Sequence, residues 1–290
     1  LREVLSQREA LQMNFALFAL AIAAAFLASS LILLNFGRHL GLRYLQQQKD
    51  AANMAGLATV EGAVFALIGL LLAFTISGAL QRFDERRQLV VQEANAASTA
   101  HDRLGLFEGD VGRNLEAKLK DYVEARIELY RMPHDFSLWR QSELFSSKQQ
   151  DKIVDFKNKV WNATVAVCPQ ASFRPACSQA LPGLTSLFEV ARLRLVASEK
   201  HPPQIVYVIL FGLGLGGSLL AGFGMAAATA RSWIHMLIFA ATLTVTLYTV
   251  TDMEYPRLGL IRIEHFDHFL VDAHQQMQPQ DGMGTIGSAR

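Results

Sequence analysis

Apolar residues in this chain fall into four long uncharged runs, not into short alternating stretches. Phe15 to Leu34 is 20 residues without a charge, and Gly62 to Leu80 is 19, following Glu61 and ending just before Arg82. Pro202 to Ala230 is 29 residues, greasiest from Val206 to Ala227, and Ser232 to Thr251 is 20, interrupted only by His235. A bilayer crossing takes about 20 predominantly apolar residues, so each run predicts a membrane-spanning helix. The first run exceeds the ~7–15 residues of a signal-peptide core, and Asn35-Phe36-Gly37-Arg38 makes a poor cleavage site, so it reads as a retained helix. Because the chain opens on Leu1 and not Met, a few residues are expected to precede it.

Between the second and third runs the pattern changes to amphipathic helices with no strand signal. Residues 81–107 continue the second run without Pro, and without Gly until Gly105, so one rod over 58–107 is expected, roughly 75 Å long at 1.5 Å per residue. Leu115, Leu119, Tyr122, Val123, Arg126, Ile127 and Tyr130 recur at helical spacing before Pro133. Ser147-Lys148-Gln149-Gln150 and Ser186 to Glu189 have the form of capping boxes, which predicts helix starts at both places. Ile153, Phe156, Val160, Trp161 and Val165 form the apolar face of the first of these helices, and Cys168-Pro169 ends it. Pro202-Pro203 marks the re-entry to the membrane. Past the last run, Pro256 and Gly259 make a break. An amphipathic segment follows over 260–277, with Phe266, Phe269 and Leu270 on one side, and a disordered tail is expected from Gln278.

Charge agrees with this division. The chain of 290 residues has 18% charged residues against about 25% in soluble proteins. Residues 81–201 hold 18 Lys/Arg and 16 Asp/Glu of the chain's 27 and 26, so the deficit is confined to the rest. The expected organisation is all-α: a first transmembrane pair in 1–80, a helical insert in 81–201, a second pair in 202–255, and a C-terminal amphipathic helix with its tail in 256–290. A formal charge of +1 excludes a strongly basic nucleic-acid binder. Four crossings put both termini and the insert on one side. Near the helix ends that side carries Arg2, Arg8, Arg82, Arg86, Arg87, Arg192, Arg194, Lys200, Arg257 and Arg262, against Arg38, Arg43, Lys49 and Arg231 opposite. Ten against four makes the insert and the termini of this multi-pass chain cytoplasmic by the positive-inside rule.

The second run and its exit are the most informative part. Glu61, Phe65, Ile68, Leu72, Ile76 and Ala79 share one helical stripe, beside a small-residue stripe of Gly62, Ala66, Gly69 and Ala73. Gly212, Gly216, Gly217, Ala221 and Gly224 repeat the small-residue device in the third run. Small residues at this spacing let helix backbones approach closely in lipid, either within one chain or between subunits. If copies gather around an axis, the stripe Glu61, Phe65, Ile68, Leu72 and Ile76 is the expected pore lining and forms a constriction that gates by dewetting; lipid exposure of the stripe is the competing reading. Arg82, Asp84, Glu85, Arg86 and Arg87 then begin a charged stretch that belongs at the interface or in a water-filled vestibule. Local pairs along the helix account for part of it, and ties to other helices are the alternative.

These residues also carry a resemblance. Ile68-Gly69-Leu70-Leu71-Leu72-Ala73-Phe74, then Arg82-Phe83-Asp84-Glu85-Arg86-Arg87, Glu93-Ala94-Asn95 and Ala100-His101-Asp102-Arg103-Leu104 resemble the bestrophin-like family of bacterial membrane proteins. Glu254-Tyr255-Pro256-Arg257-Leu258-Gly259 is similar to an acidic-x-Pro-x-x-Gly break found there. The resemblance implies a ring-shaped homo-oligomer, pentameric in bestrophins, embedded in lipid, with the second helix facing a pore for inorganic ions, anions above all. The paired Trp usual after the Arg is absent, and only Asp252 and Glu254 lie near the break to serve a calcium clasp.

Other polar groups admit plainer readings. Glu61 is either an interfacial anion at a helix N-terminus or part of a carboxylate ring at a pore mouth. Asp252 and Glu254 are either solvated or partners of Arg82, Arg86 or Arg87. His235 lies one turn inside the last run, an interfacial side chain unless it is linked to protons. No phosphate loop, HExxH or Gly-x-Ser-x-Gly elbow occurs, so no enzyme, cofactor or metal is expected. Glu264, His268 and Asp272 share a helix face that is better read as solvated. Cys168 and Cys177 are spaced to close a loop by a disulfide in an oxidising compartment and to remain thiols in the cytoplasm. The expected function is a passive ion channel; the rival is a non-conducting membrane scaffold or sensor whose insert binds a partner.

Overall fold

A computed structural model describes residues 2–47, 52–131, 139–227, 233–256 and 259–277, and among them the regular structure is helical. The α-helices are α1 (Arg2–Gln47), α2 (Ala52–Leu104), α3 (Gly109–Arg131), α4 (Trp139–Val167), α5 (Arg174–Glu199), α6 (Gln204–Gly224), α7 (Trp233–Glu254) and α8 (His268–Gln276). Four of them, α1, α2, α6 and α7, are long and apolar enough to cross a membrane. The expected disordered tail from Gln278 lies outside the described residues.

The chain divides into two compact units. One comprises 10–83 and 200–262, and the other 1–9, 84–199 and 263–290. The segment from Ile263 onward thus groups with the insert.

In the membrane unit, packing follows the small residues. A Cβ added at Gly222 would fall on the Leu34 carbonyl, and one at Gly37 on the Leu219 carbonyl, so α1 and α6 touch backbone to backbone. Where lipid replaces water, such close contact is what holds helices together. The Ser30 and Ser218 hydroxyls hydrogen-bond inside that contact. A second group of side chains (Phe26, Ala79, Leu210, Leu243, Leu247, Val250 and Met253) joins all four membrane helices. Of the glycines expected to pack, Gly217 and Gly224 meet Ile68 and Glu61 of α2, while nothing among the described residues lies within 4 Å of a Cβ built at Gly212 or Gly216; the approaches to α1 use Gly214 and Gly222.

In the insert unit, Ala94, Ala97, Ala100 and Leu104 of α2 pack with Leu115, Leu119 and Tyr122 of α3, Val160 of α4, and Ala180, Leu184 and Leu187 of α5. The alanine row admits the bulkier faces opposite. α2 continues unbroken because nothing between Gly78 and Gly105 opposes helix. Neither capping box starts a helix. α4 is already helical from Trp139, and Gln149 is buried, donating to the Ala125 carbonyl and Glu128 Oε2 at 3.2 Å instead of closing a cap. α5 begins at Arg174 and runs through Pro182 and Ser186, because Leu184, Leu187 and Ala191 continue one buried face. Cys168 and Cys177 are joined by a disulfide across the turn from α4 to α5. In the C-terminal segment Leu270, Ala273 and Met277 enter the core, while Phe269 stays exposed.

Candidate functional site

α2 presents two contrasting faces within the membrane unit. The stripe expected to line a pore meets the protomer's own helices. Ile68 is 7% exposed, with its Cδ1 3.2 Å from where a Gly217 Cβ would lie. The Phe65 ring sits edge-on to Phe239 of α7, centroids 6.1 Å apart, and Leu72 packs against the four-helix group. The Glu61 carboxylate lies where a Cβ on Gly224 would fall, and its Oε1 is buried with no hydrogen-bond partner among the described residues. Ile76, at the edge of the stripe, is 36% exposed. The packing of this stripe follows from its neighbours: glycines on α6 leave room for branched and aromatic side chains of α2.

The opposite face is open. Ala63, Leu67, Leu70, Phe74, Ser77 and Gln81 are all exposed, and Phe74 is 67% so. Their separations alternate between four and three residues, which keeps them in one line along a helix. Gly62, Ala66, Gly69 and Ala73 lie on one flank of that line, also exposed, and nothing among the described residues lies within 4 Å of a Cβ built at Gly62 or Gly69. In the insert unit the same register continues through Glu85, Gln88, Gln92, Asn95, Thr99 and Asp102, again all exposed.

The charges at the exit of the second span are not left loose. In the membrane unit, Arg82 Nε donates to Glu254 Oε1 at 2.8 Å, and the terminal nitrogen closes on the same oxygen. Glu254 is wholly buried, and the His201 ring, stacked on Tyr255, has Nδ1 3.9 Å from its Oε2. The Asp252 carboxylate accepts the backbone N–H groups of Leu260 at 2.9 Å and Ile261 at 2.7 Å, which closes the turn after α7. In the insert unit, Arg86 is buried and donates to the Ala197 carbonyl at 3.0 Å. Arg87 lies 3.3 Å from Asp84 and 5.3 Å over the Phe266 ring. Glu85 points outward on the open face.

A buried ionic cluster was not among the expected sites. Glu93, 1% exposed, accepts Arg126 Nε at 2.7 Å and Arg194 Nη1 at 2.8 Å; Arg194 also binds Asp267, and its guanidinium lies 3.4 Å over the Tyr130 ring. Two carboxylates thus balance two guanidiniums. Burial alone would push the Glu93 carboxyl up, but the two arginines outweigh it and hold the group below the usual carboxylate range. The signal lay in Arg126, a charge in the middle of an otherwise apolar helical stripe. The cluster ties α2, α3, α5 and the residues before α8, so its chemistry is cohesion of the insert. Among the described residues no three His, Cys, Asp or Glu side chains gather to hold a metal.

Comparison with known proteins places this arrangement. A search of curated proteins gives no match. Among solved structures, a point variant of a bacterial bestrophin homologue from Klebsiella pneumoniae superposes with a TM-score of 0.58 at 15% identity, covering 85% of this chain and 98% of that one. A variant described only as a membrane protein superposes with a TM-score of 0.59, at 15% identity and the same coverage. At that identity the likeness is one of fold. The Bestrophin-like domain, however, matches residues 23–265 in sequence, which takes in the first span from residue 23 onward, the other three spans, the insert and the turn closed by Asp252. The chain is therefore a membrane protein belonging to the Bestrophin-like family.

Proposed function

We propose that this protein is an ion channel of the inner membrane, assembled from identical four-span subunits in a ring whose pore wall is the open line of α2. The carrying observation is that line: Ala63, Leu67, Leu70 and Phe74 within the span, Ser77 and Gln81 at its end, then Glu85, Gln88, Gln92, Asn95, Thr99 and Asp102. A seam that packs against other helices needs apolar residues at this spacing. From Ser77 on there are none, so the lower part suits a wall facing water. Leu67, Leu70 and Phe74 would form the hydrophobic constriction above it. Phe65, Ile68 and Leu72, held by α6 and α7, would support that wall from behind.

A ring also needs two different, complementary surfaces on each subunit. The small-residue flank Gly62, Ala66, Gly69 and Ala73 supplies a groove, and Val60 and Leu71, exposed on the other flank, supply the ridge that fills it. The family resemblance suggests five copies. The charge bias supports a cytoplasmic insert. In the cytoplasm, cellular reductants would open the Cys168–Cys177 bond, since Cys168 is only partly buried beside the exposed residues Pro169 to Ser172.

The test is reconstitution of the purified full chain in planar bilayers, with its mass measured in detergent. A multimer that conducts is expected, and Phe74→Ala or Leu70→Ala should change unitary conductance while Ile68→Ala changes only stability. A multimer that stays silent across ions, pH and calcium favours the non-conducting scaffold.

A further inference from the structure

We infer that Cys168 and Cys177 are a redox modification site, two thiols that a hydroperoxide joins and a cellular dithiol reopens; the inference rests on the cytoplasmic insert proposed above. They are the only two cysteines of the chain, and in the structure they are bonded across the turn from α4 to α5. The cytoplasm keeps such a pair reduced at rest, and a disulfide that forms there is transient, with catalysis or redox sensing as its usual role.

The two sulfurs are unequally placed. Cys177 is 5% exposed and belongs to the core of the insert with Ala176 and Ala180. Cys168 is partly buried and adjoins the exposed residues Pro169, Gln170, Ala171 and Ser172. An oxidant arriving from solvent therefore meets Cys168 first. Its sulfur attacks one peroxide oxygen, the O–O bond breaks, and the other oxygen departs as an alcohol carrying the thiol proton, which leaves Cys168 as a sulfenic acid. The Cys177 sulfur then attacks Cys168, and the sulfenic hydroxyl departs with the Cys177 proton as water. One hydroperoxide is reduced for two thiols oxidised. A cellular dithiol reverses the change by thiol–disulfide exchange and ends as its own disulfide. In the open form the Cys168 thiol keeps an acceptor, because its Sγ lies 3.1 Å from the Thr164 carbonyl.

The turn closed by this bond is held against the end of α2. Phe173, inside the turn, has its ring 5.6 Å from that of Phe107, just past α2. Arg103 Nη1 donates to the Gln179 carbonyl at 3.1 Å, and the Arg103 side chain fills the space that a Cβ on Gly183 would take. Joining residues nine apart removes conformational freedom from the open turn. Oxidation should therefore hold Phe173 and the start of α5 more firmly on the segment of α2 that carries Thr99 and Asp102.

The experiment gives cells making the full chain a short pulse of cumene hydroperoxide with protein synthesis blocked. Thiols are trapped in acid and counted, after denaturation, by the mass of a maleimide tag. Two tags before the pulse, none after it and two again on recovery are expected. In Cys168→Ser, Cys177 should keep its tag through the pulse. Wild-type tags that persist throughout, a bridge between two chains, or loss of the Cys177 tag in Cys168→Ser overturns the switch while the orientation stands. A bond already present before the pulse overturns the switch and the orientation together. In the purified chain, oxidation should slow amide exchange over residues 171–184 by about tenfold. Equal exchange in the two states overturns the coupling to α2. Neither readout uses conductance, so a failure of the channel reading shows separately, in bilayers.

Discussion

Arg82, at the exit of the second span, grips Glu254, the last residue of the fourth membrane helix, and that carboxylate is sealed from solvent. Removing the cation strands a buried charge. Arg82→Ala is expected to cost about 3 kcal/mol, the low end of the penalty for breaking a buried pair because Arg82 itself is partly exposed. Arg82→Lys should recover only part of this, since a single ammonium does not reproduce the guanidinium fork. Thermal unfolding of the detergent-solubilised chain reads both.

The Glu93 cluster predicts acid sensitivity. A carboxyl held below its ordinary value when folded contributes stability that is fully present above the unfolded value, near 4.5, and is lost as pH falls through the folded value. Trp161 fluorescence should therefore report a loosened insert only below about pH 4.5. Glu93→Gln should destabilise the insert by about 3–5 kcal/mol at neutral pH, because two buried guanidiniums lose their counter-charge, and should flatten that acid limb.

Two glycines separate packing within the subunit from packing between subunits. Gly222→Val drives a side chain into the Leu34 backbone and should cost about 1–3 kcal/mol of subunit stability or prevent folding. Gly69→Val meets open space in the subunit. It should leave the melting temperature of the subunit nearly unchanged while lowering the multimer fraction by mass in detergent.

How much of this was legible in the chain differs from place to place. The four spans and the continuous α2 were plain, because lipid demands long uncharged runs and nothing between Gly78 and Gly105 interrupts the helix. The helix starts inferred at Ser147 and Ser186 were not; at Ser186 a buried face on either side overrides the local cap. The faces of α2 were the hardest to read. Phe65, Ile68 and Leu72 make as good an apolar stripe as Leu67, Leu70 and Phe74, and only the glycines of a distant helix decide which is covered. Glu93 finds its partners 33 and 101 residues away, a pairing no local pattern displays.

The cysteine pair provides a check on orientation. Thiols trapped in living cells are expected to show Cys168 and Cys177 reduced, and the same protein purified in air to show them joined as they are in the structure. A bond already present in cells would put the insert in an oxidising compartment and reverse the orientation drawn from the charge count.

The turn behind the fourth span is closed by a side chain, with the Asp252 carboxylate reaching amides eight and nine residues further on. Shifting that carboxylate by one residue along α7 swings it about 100° round the axis and releases both amides together. Exchanges of residue type between these points are therefore milder than a change in their number. The quantity fixed here is a length of chain, and a single deletion inside it should do more harm than several substitutions.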